Sequence, residues 1–275
     1  MKKRLLLIHI LLISFILIFF APIYVAVIAA SHQGDTFLQG NLPLLPGGYF
    51  WHNIKTVLWQ GVISTGSASV FTMLMNSFLM AMLIAFGKVI MALMTAFVLV
   101  YFEFRFKSVV FAMIFMTMML PVEVRIVPTF QVVVALDWLN SFAGLTLPLM
   151  ASATATFLFR QFFKSLPSSL VHAAKMDGAG PFRFFIDMVV PLSKTPMTAL
   201  FIIMFVYGWN QYLWPMIITT MTDKSTIVMG MKALVGVADQ IPQWHLIMST
   251  ALIALLPPCA VVLILQKWFE KGLTH

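Results

Sequence analysis

Three observations predict an all-α polytopic membrane protein with six transmembrane helices and cytoplasmic N- and C-termini. Of its 275 residues, 61% are hydrophobic and 9% charged, whereas a soluble domain carries about 25% charged residues. With a mean hydropathy of +0.98, a water-soluble fold is excluded. Apolar runs of the length needed to cross a bilayer, about 20 residues for a helix, recur along the chain. The short apolar/polar alternations of a membrane β-barrel do not. Finally, Lys and Arg are unevenly shared between alternate loops, and the side that holds the excess is the cytoplasmic one.

The first span, 5–29, follows the basic Met1-Lys2-Lys3-Arg4. Its apolar run is longer than a signal peptide's and lacks a prompt small-x-small cleavage site, so it reads as a retained helix. Residues 31–68 form a polar, Gly/Pro-containing periplasmic loop whose Trp51 and Trp59 suit an interface. The second span, 70–100, exceeds the crossing length and contains Asn76 and Lys88. It is predicted as one tilted or protruding helix because no turn chemistry interrupts it. A third span at 109–134 follows the basic-aromatic turn at 101–107, and a fourth at 145–163 follows a short external connection at 137–141. A fifth at 196–219, an external loop at 221–244 and a sixth span at 246–265 complete the topology. Twelve Lys and Arg, from Lys2 to Lys271, then fall inside, against Lys55, Lys224 and Lys232 outside. The chain reads as a single transmembrane domain, 1–275, with an N-terminal span and periplasmic loop at 1–69. The core at 70–270 carries a cytoplasmic loop at 165–193.

Several function classes are excluded. The net charge of +8 comes without a basic stripe interleaved with aromatics, so nucleic acid is not an expected partner. Cys259 is alone, and none of the six histidines pairs at the spacing of a metal-binding helix. No metal is expected. There is no GxxxxGK[ST], no GxSxG and no paired carboxylates in a polar setting. No catalytic residue and no cofactor of the chain's own is therefore expected, and an integral-membrane enzyme lacks its parts. If the chain transports, a partner or an ion gradient supplies the energy.

Two intramembrane stretches can contact a solute. In Leu120-Pro-Val-Glu-Val-Arg-Ile-Val-Pro128, two prolines loosen the third span around Glu123 and Arg125. Charges at this depth face a cavity or each other. They form either a self-neutralising structural pair or separate contacts, in which case Arg125 attracts an anionic substrate; the i, i+2 spacing turns them apart on a regular helix. In Tyr207-Gly-Trp-Asn-Gln-Tyr-Leu-Trp-Pro215, Trp209, Asn210, Gln211 and Tyr212 combine amides and rings as a polyol site requires. The same composition also suits interhelical packing with an interfacial aromatic belt.

The segment Ser165–Ser193 is the longest run with real polar and charged content, and it lies between two strongly apolar segments. Pro167 and Ser168 can open a helix with Ser168 as N-cap. Leu170, Ala173, Ala174 and Asp177 recur at helical spacing, which predicts that they share one side. Gly178 supplies the stop, and a second helix is predicted from Pro181 to just before Pro191.

The run His172-Ala-Ala-Lys-Met-Asp-Gly-Ala179 with Pro191-Leu192 resembles the EAA loop of ABC-importer permeases, whose pattern is E-A-A-x-x-D-G-A followed by P-L. Leu158–Phe163 (LFRQFF) and Gly208–Pro215 (GWNQYLWP) resemble the carbohydrate-uptake, MalG-like branch. MLPVEVRIVPT and SFAGLTLPLMASATATFLFRQFF are similar to permeases of sn-glycerol-3-phosphate importers. The resemblance extends over about Asn76–Leu273. It implies a type I ABC-importer permease fold in a bacterial inner membrane, in contact with lipid. Implied partners are a second homologous permease, two cytoplasmic ATPases that bind the ATP, and a periplasmic substrate-binding protein. Implied too is a coupling role for His172, Ala173, Ala174, Asp177, Gly178, Ala179, Pro191 and Leu192. The expected substrate is sn-glycerol-3-phosphate or a glycerophosphodiester. The alternatives are a neutral sugar or polyol, and an ion-coupled secondary transporter. One position departs from the pattern: the leading Glu is His172 here. A neutral imidazole makes weaker hydrogen bonds than a carboxylate, so coupling rests on a compensating ATPase surface or on the remaining residues.

Overall fold

The structure, a computed structural model, describes residues 2–37, 43–60, 68–120, 122–235 and 242–273, with the backbone alone for 2–4, 35, 37, 122–123 and 267–273. Among the described residues it is helical without strands. Three helices are long and apolar enough to cross a membrane, and six spans result if each of three bent helix pairs counts as one. The chain divides into two compact units.

The first unit comprises residues 1–76 and 225–257. Its α1 (Lys2–Ala30) leaves its side chains from Leu5 to Val25 largely exposed and buries Ile28, Ala29 and Ala30 at its end. The last carbonyls of a helix lack intrahelical partners. The following loop satisfies them: buried Asn53 donates its amide to Ala30 O at 2.9 Å and to His32 O at 2.8 Å. Ser31 Oγ donates to Ile28 O and accepts from Gly47 N. The loop expected at 31–68 therefore contains a helix, α2 (Phe50–Gln60), whose Asn53 and Val57, one turn apart, are buried. The external loop expected at 221–244 contains another, α12 (Ile227–Val235), because Ile227, Gly230 and Leu234 form a buried stripe at helical spacing. Residues 236–241 of that loop lie outside the described residues.

The second unit comprises residues 77–224 and 258–275. As predicted, α3 (Val70–Tyr101) is one unbroken helix of 32 residues. The third span is broken, with α4 (Lys107–Met119) and α5 (Val122–Ala135) meeting at 106°. Leu120 takes extended dihedrals (φ −84°, ψ 119°), the region forced on a residue that precedes proline. The fourth span also breaks. Helix α6 (Phe142–Thr146) continues in a 3₁₀ turn to Leu149 and is bent by 46° from α7 (Ala153–Ser165). Ser152 stops continuous helix here: it is extended, and its hydroxyl caps α7 by accepting from Ala155 N at 3.3 Å.

Helix α8 spans Ser168–Met176, α9 Pro181–Leu192 and α10 Lys194–Trp209. The fifth span, predicted to reach 219, ends at Trp209, and α11 (Leu213–Ile218) starts afresh. Pro215 favours the break, since its ring clashes with the carbonyl of Gln211 in a continuous helix. The core joins α3, α5, α6 and α11 through Met80, Ile84, Val133, Leu145, Trp214 and Ile218. Helix α10 lies close along α3, where Gly208 has space for no more than its hydrogens beside the Ala81 backbone. The last helix, α13 (Trp244–Leu273), overruns the predicted 246–265 at its C-terminal end.

Candidate functional site

Two arrangements are candidates: an exposed hairpin at Ser165–Ser193 and a cavity inside the second unit. In the hairpin, Ser168 is the first residue of α8, not its cap. The N-cap is Pro167, at φ −60° and ψ 134°, whose carbonyl accepts from Leu170 N and whose ring pre-sets the backbone for entry into the helix. At the other end Gly178 takes φ +69°. Gly178 N donates to Lys175 O at 3.1 Å and Ala179 N to Ala174 O at 2.9 Å, the paired bonds of a Schellman stop. No atom stands within 4 Å of where a Gly178 Cβ would be, so glycine serves the dihedral and not the packing.

The residues at helical spacing do not share one environment. Ala174 is buried while Ala173 and Asp177 are exposed. The inward stripe runs through Val171 and Ala174, beneath which Phe97, Tyr101 and Phe184 line a cavity of about 290 Å³. The outward face carries Ser169, His172, Ala173 and Met176, all exposed, with Met176 at 88%. Phe182, at the start of the second arm, is 75% exposed.

That second arm starts at Pro181 as predicted but runs through Pro191 to Leu192. A π turn over Phe185–Val189 shifts the hydrogen-bond register just upstream of Pro191, whose ring clashes with the carbonyl four residues back in a regular α-helix. Pro191 and Leu192 are exposed, and Ser193 behind them is fully buried. Ring contacts clamp the arm to the C-terminal end of α3: Phe184 lies 5.2 Å from Tyr101, and Phe185 4.8 Å from Phe97, between centroids. Asp177 and Ala179 thus sit at a capped turn whose two arms have a defined seat.

The cavity opens where the broken helices meet. Two adjoining volumes of about 460 and 380 Å³ share Lys88, Arg125, Ala151 and Tyr207 in their walls. Of the six residues expected on a solute pathway, Arg125, Gln211 and Tyr212 line the smaller volume. Trp209 is not among the lining residues. It is 4% exposed and stacks on Phe205 at 5.9 Å, which makes it part of the core. Asn210, at the helix break, is exposed and also outside the lining. The Gln211 amide donates to Tyr207 O at 3.1 Å, so it finishes the end of α10. The side chain of Glu123 lies outside the described residues, and its pairing with Arg125 with it.

A family model described as "Binding-protein-dependent transport system inner membrane component" matches residues 88–275, which include the hairpin and every cavity-lining residue. The chain belongs to this family. It is a membrane-embedded permease subunit of an ABC importer, a transport component and not an enzyme. Membership implies a complex with ATPase and binding-protein partners. Among its relatives, the sn-glycerol-3-phosphate transport system permease protein UgpE of Pectobacterium atrosepticum is 48% identical over 265 residues, covering 96% of this chain and 94% of its own. The protein of the same name from Brucella melitensis is 48% identical over 271 residues, with 98% and 94% covered. The solved structure of a bacterial ABC transporter involved in the import of the acidic polysaccharide alginate matches with a TM-score of 0.82 at 19% identity, covering 98% of this chain and 97% of that one. The all-α ABC permease fold expected from the sequence is the fold observed.

Two cavity residues of this permease were not assigned from sequence. Lys88, 6% exposed, places its ammonium 3.8 Å from the centroid of the Tyr207 ring. The signal for Lys88 was present, since it is the one charged residue in the 32-residue α3 and charge inside a span marks a functional position. Tyr207 opens the aromatic-amide stretch that the sequence singled out, but its ring faces Lys88 across two helices, which no local pattern shows.

Proposed function

We propose that this permease carries sn-glycerol-3-phosphate, or glycerophosphodiesters, across a bacterial inner membrane by alternating access coupled to ATP hydrolysis in a partner chain. The observation that carries the reading is Arg125: its exposed guanidinium stands on a cavity whose described lining contains no Asp or Glu. A cation on a cavity wall with no carboxylate beside it favours an anionic solute. The names of relatives that cover almost the whole chain point to the same substrate class. Gln211 and Tyr212 offer an amide and a hydroxyl to the polyol portion, and Trp209, buried and stacked on Phe205, belongs to the core next to them.

The hairpin supplies the coupling. Its outward face of His172, Ala173 and Met176 is small and apolar enough to seat in a cleft of a cytoplasmic ATPase, and the turn at Asp177, Gly178 and Ala179 keeps the two arms in one geometry. Pro191 and Leu192 hold the return arm rigid. Closure of two ATPases, which bind the ATP, moves the hairpin. The aromatic clamp transmits that motion to α3, and a second, homologous permease completes the pathway. A periplasmic binding protein delivers the solute. This is a rigid-body transition biased by ligand. The test is uptake of labelled sn-glycerol-3-phosphate by the reconstituted complex. Uptake that stops when the partner's ATP hydrolysis is blocked is expected; uptake that persists would sink the coupling, and transport of neutral polyols alone would sink the substrate.

A further inference from the structure

Lys88 is the second cation of the cavity wall, and among the described residues no carboxylate pairs with its charge. It projects from the middle of α3, 94% removed from solvent given its 6% exposure. Among the described residues its ammonium makes no hydrogen bond and no ion pair; its one contact of note is the face of the Tyr207 ring. The Arg125 guanidinium is likewise without an ion pair among the described residues, and both side chains border both cavity volumes. Two like charges on one cavity wall repel each other, and Lys88, buried where Arg125 is exposed, has also lost its hydration. A ring face compensates a desolvated ammonium only in part. Such a wall is at its lowest free energy when an anion occupies it, and a dianion relieves it more than a monoanion does.

We propose that Lys88 and Arg125 form a two-cation subsite that takes the terminal dianionic phosphate of a phosphomonoester, with Tyr207 as the resting station of the Lys88 ammonium. This rests on the reading that the cavity carries a glycerol-phosphate solute. The geometry supports the pairing in three ways. The cations come from different helices, α3 and α5, so they approach a phosphate from separate directions. A lysine ammonium is a point charge on a flexible stem, which lets it leave the ring as phosphate arrives and return as phosphate departs. The Tyr207 hydroxyl makes no hydrogen bond among the described residues and borders the same space, so it can donate to a phosphate oxygen. A phosphomonoester carries nearly two charges at neutral pH and a phosphodiester one, so Lys88 separates the two classes that Arg125 alone attracts.

The experiment compares uptake of sn-glycerol-3-phosphate with uptake of a glycerophosphodiester in the full reconstituted complex, with the same binding protein throughout. Lys88→Met should lower the monoester-to-diester uptake ratio about tenfold, equivalent to about 1.4 kcal/mol, and Lys88→Arg should restore it to within about threefold. Tyr207→Leu, which removes the ring but no charge, should lower the ratio by a smaller factor, and it keeps the test open should Lys88→Met fail to assemble. Equal loss of both substrates in Lys88→Met and Tyr207→Leu, or no change in the ratio, overturns the subsite and assigns Lys88 to packing. A wild-type complex that imports neither phosphate ester overturns the underlying substrate reading instead, so the two failures are distinguishable.

Discussion

The indole N–H of Trp214 donates to the carbonyl of Gly144 at 3.1 Å, tying α11 to α6 inside the core. Both groups are buried, so neither can fall back on water. Trp214→Phe keeps most of the ring but leaves the Gly144 oxygen without this donor. A buried polar group stripped of its partner costs about 1–3 kcal/mol. The expected result is a melting temperature lowered by several degrees in the purified complex; an unchanged value would show that the bond contributes nothing.

Gly178 separates two substitutions that look alike on paper. Gly178→Ala meets open space and carries only the backbone strain of a left-handed residue, about 1–2 kcal/mol. Gly178→Pro cannot reach φ +69° and removes the N–H that bonds Lys175 O. The alanine variant should import at near wild-type rates. The proline variant should reach the membrane in normal amount yet show substrate-stimulated ATP hydrolysis and uptake that no longer run together, with uptake down about tenfold. Normal uptake by the proline variant would count against docking at this turn.

Helix α10 approaches α3 through Gly208. A Cβ there would stand 3.0 Å from Ala81 Cα and 3.4 Å from Ile84 Cβ, and backbone atoms yield little. Gly208→Ala should destabilise by about 1–3 kcal/mol through overpacking. Gly180→Ala, with nothing within 4 Å, is the matched control and should change stability by about 0.5 kcal/mol or less. Thermal unfolding of both variants reads the difference, and equal melting temperatures would refute the close approach.

For Arg125, the informative measurement is a ratio. Arg125→Ala should reduce uptake of phosphate-bearing solutes about tenfold, as the loss of a charge-assisted hydrogen bond of about 1.5–3 kcal/mol predicts, and leave residual transport of a neutral polyol unaffected. Equal loss for anionic and neutral ligands would give Arg125 a structural role in α5.

Composition and charge asymmetry were enough to read a helical membrane protein with its chain order of spans, because hydration of apolar and charged side chains is decided residue by residue. The same holds for the Gly178 stop, where the positive φ depends on a single residue's missing Cβ. Breaks inside spans were harder to read. The two prolines of the third span pointed to loosening, but the 106° bend depends on what α4 and α5 find to pack against. The fifth span looked continuous through Asn210 until Pro215 was seen to act four residues back. Ser152 could have been read as a cap, yet a lone serine in an apolar run more often bonds its own helix.

The sequence by itself thus determined which segments leave water, the stop at Gly178 and that a polar hairpin interrupts the spans. Only the tertiary structure decided which helix faces meet. Periodicity grouped Ala173 with Ala174, and packing put one outside and the other against a cavity bordered by Phe97. Lys88 and Arg125 are 37 positions apart on different helices, and no local pattern links them; they border one cavity because α5 is bent back at Leu120 and α10 at Ser193. Proximity of that kind is set by how the bent helices pack together, and it has no signature in any single stretch of chain.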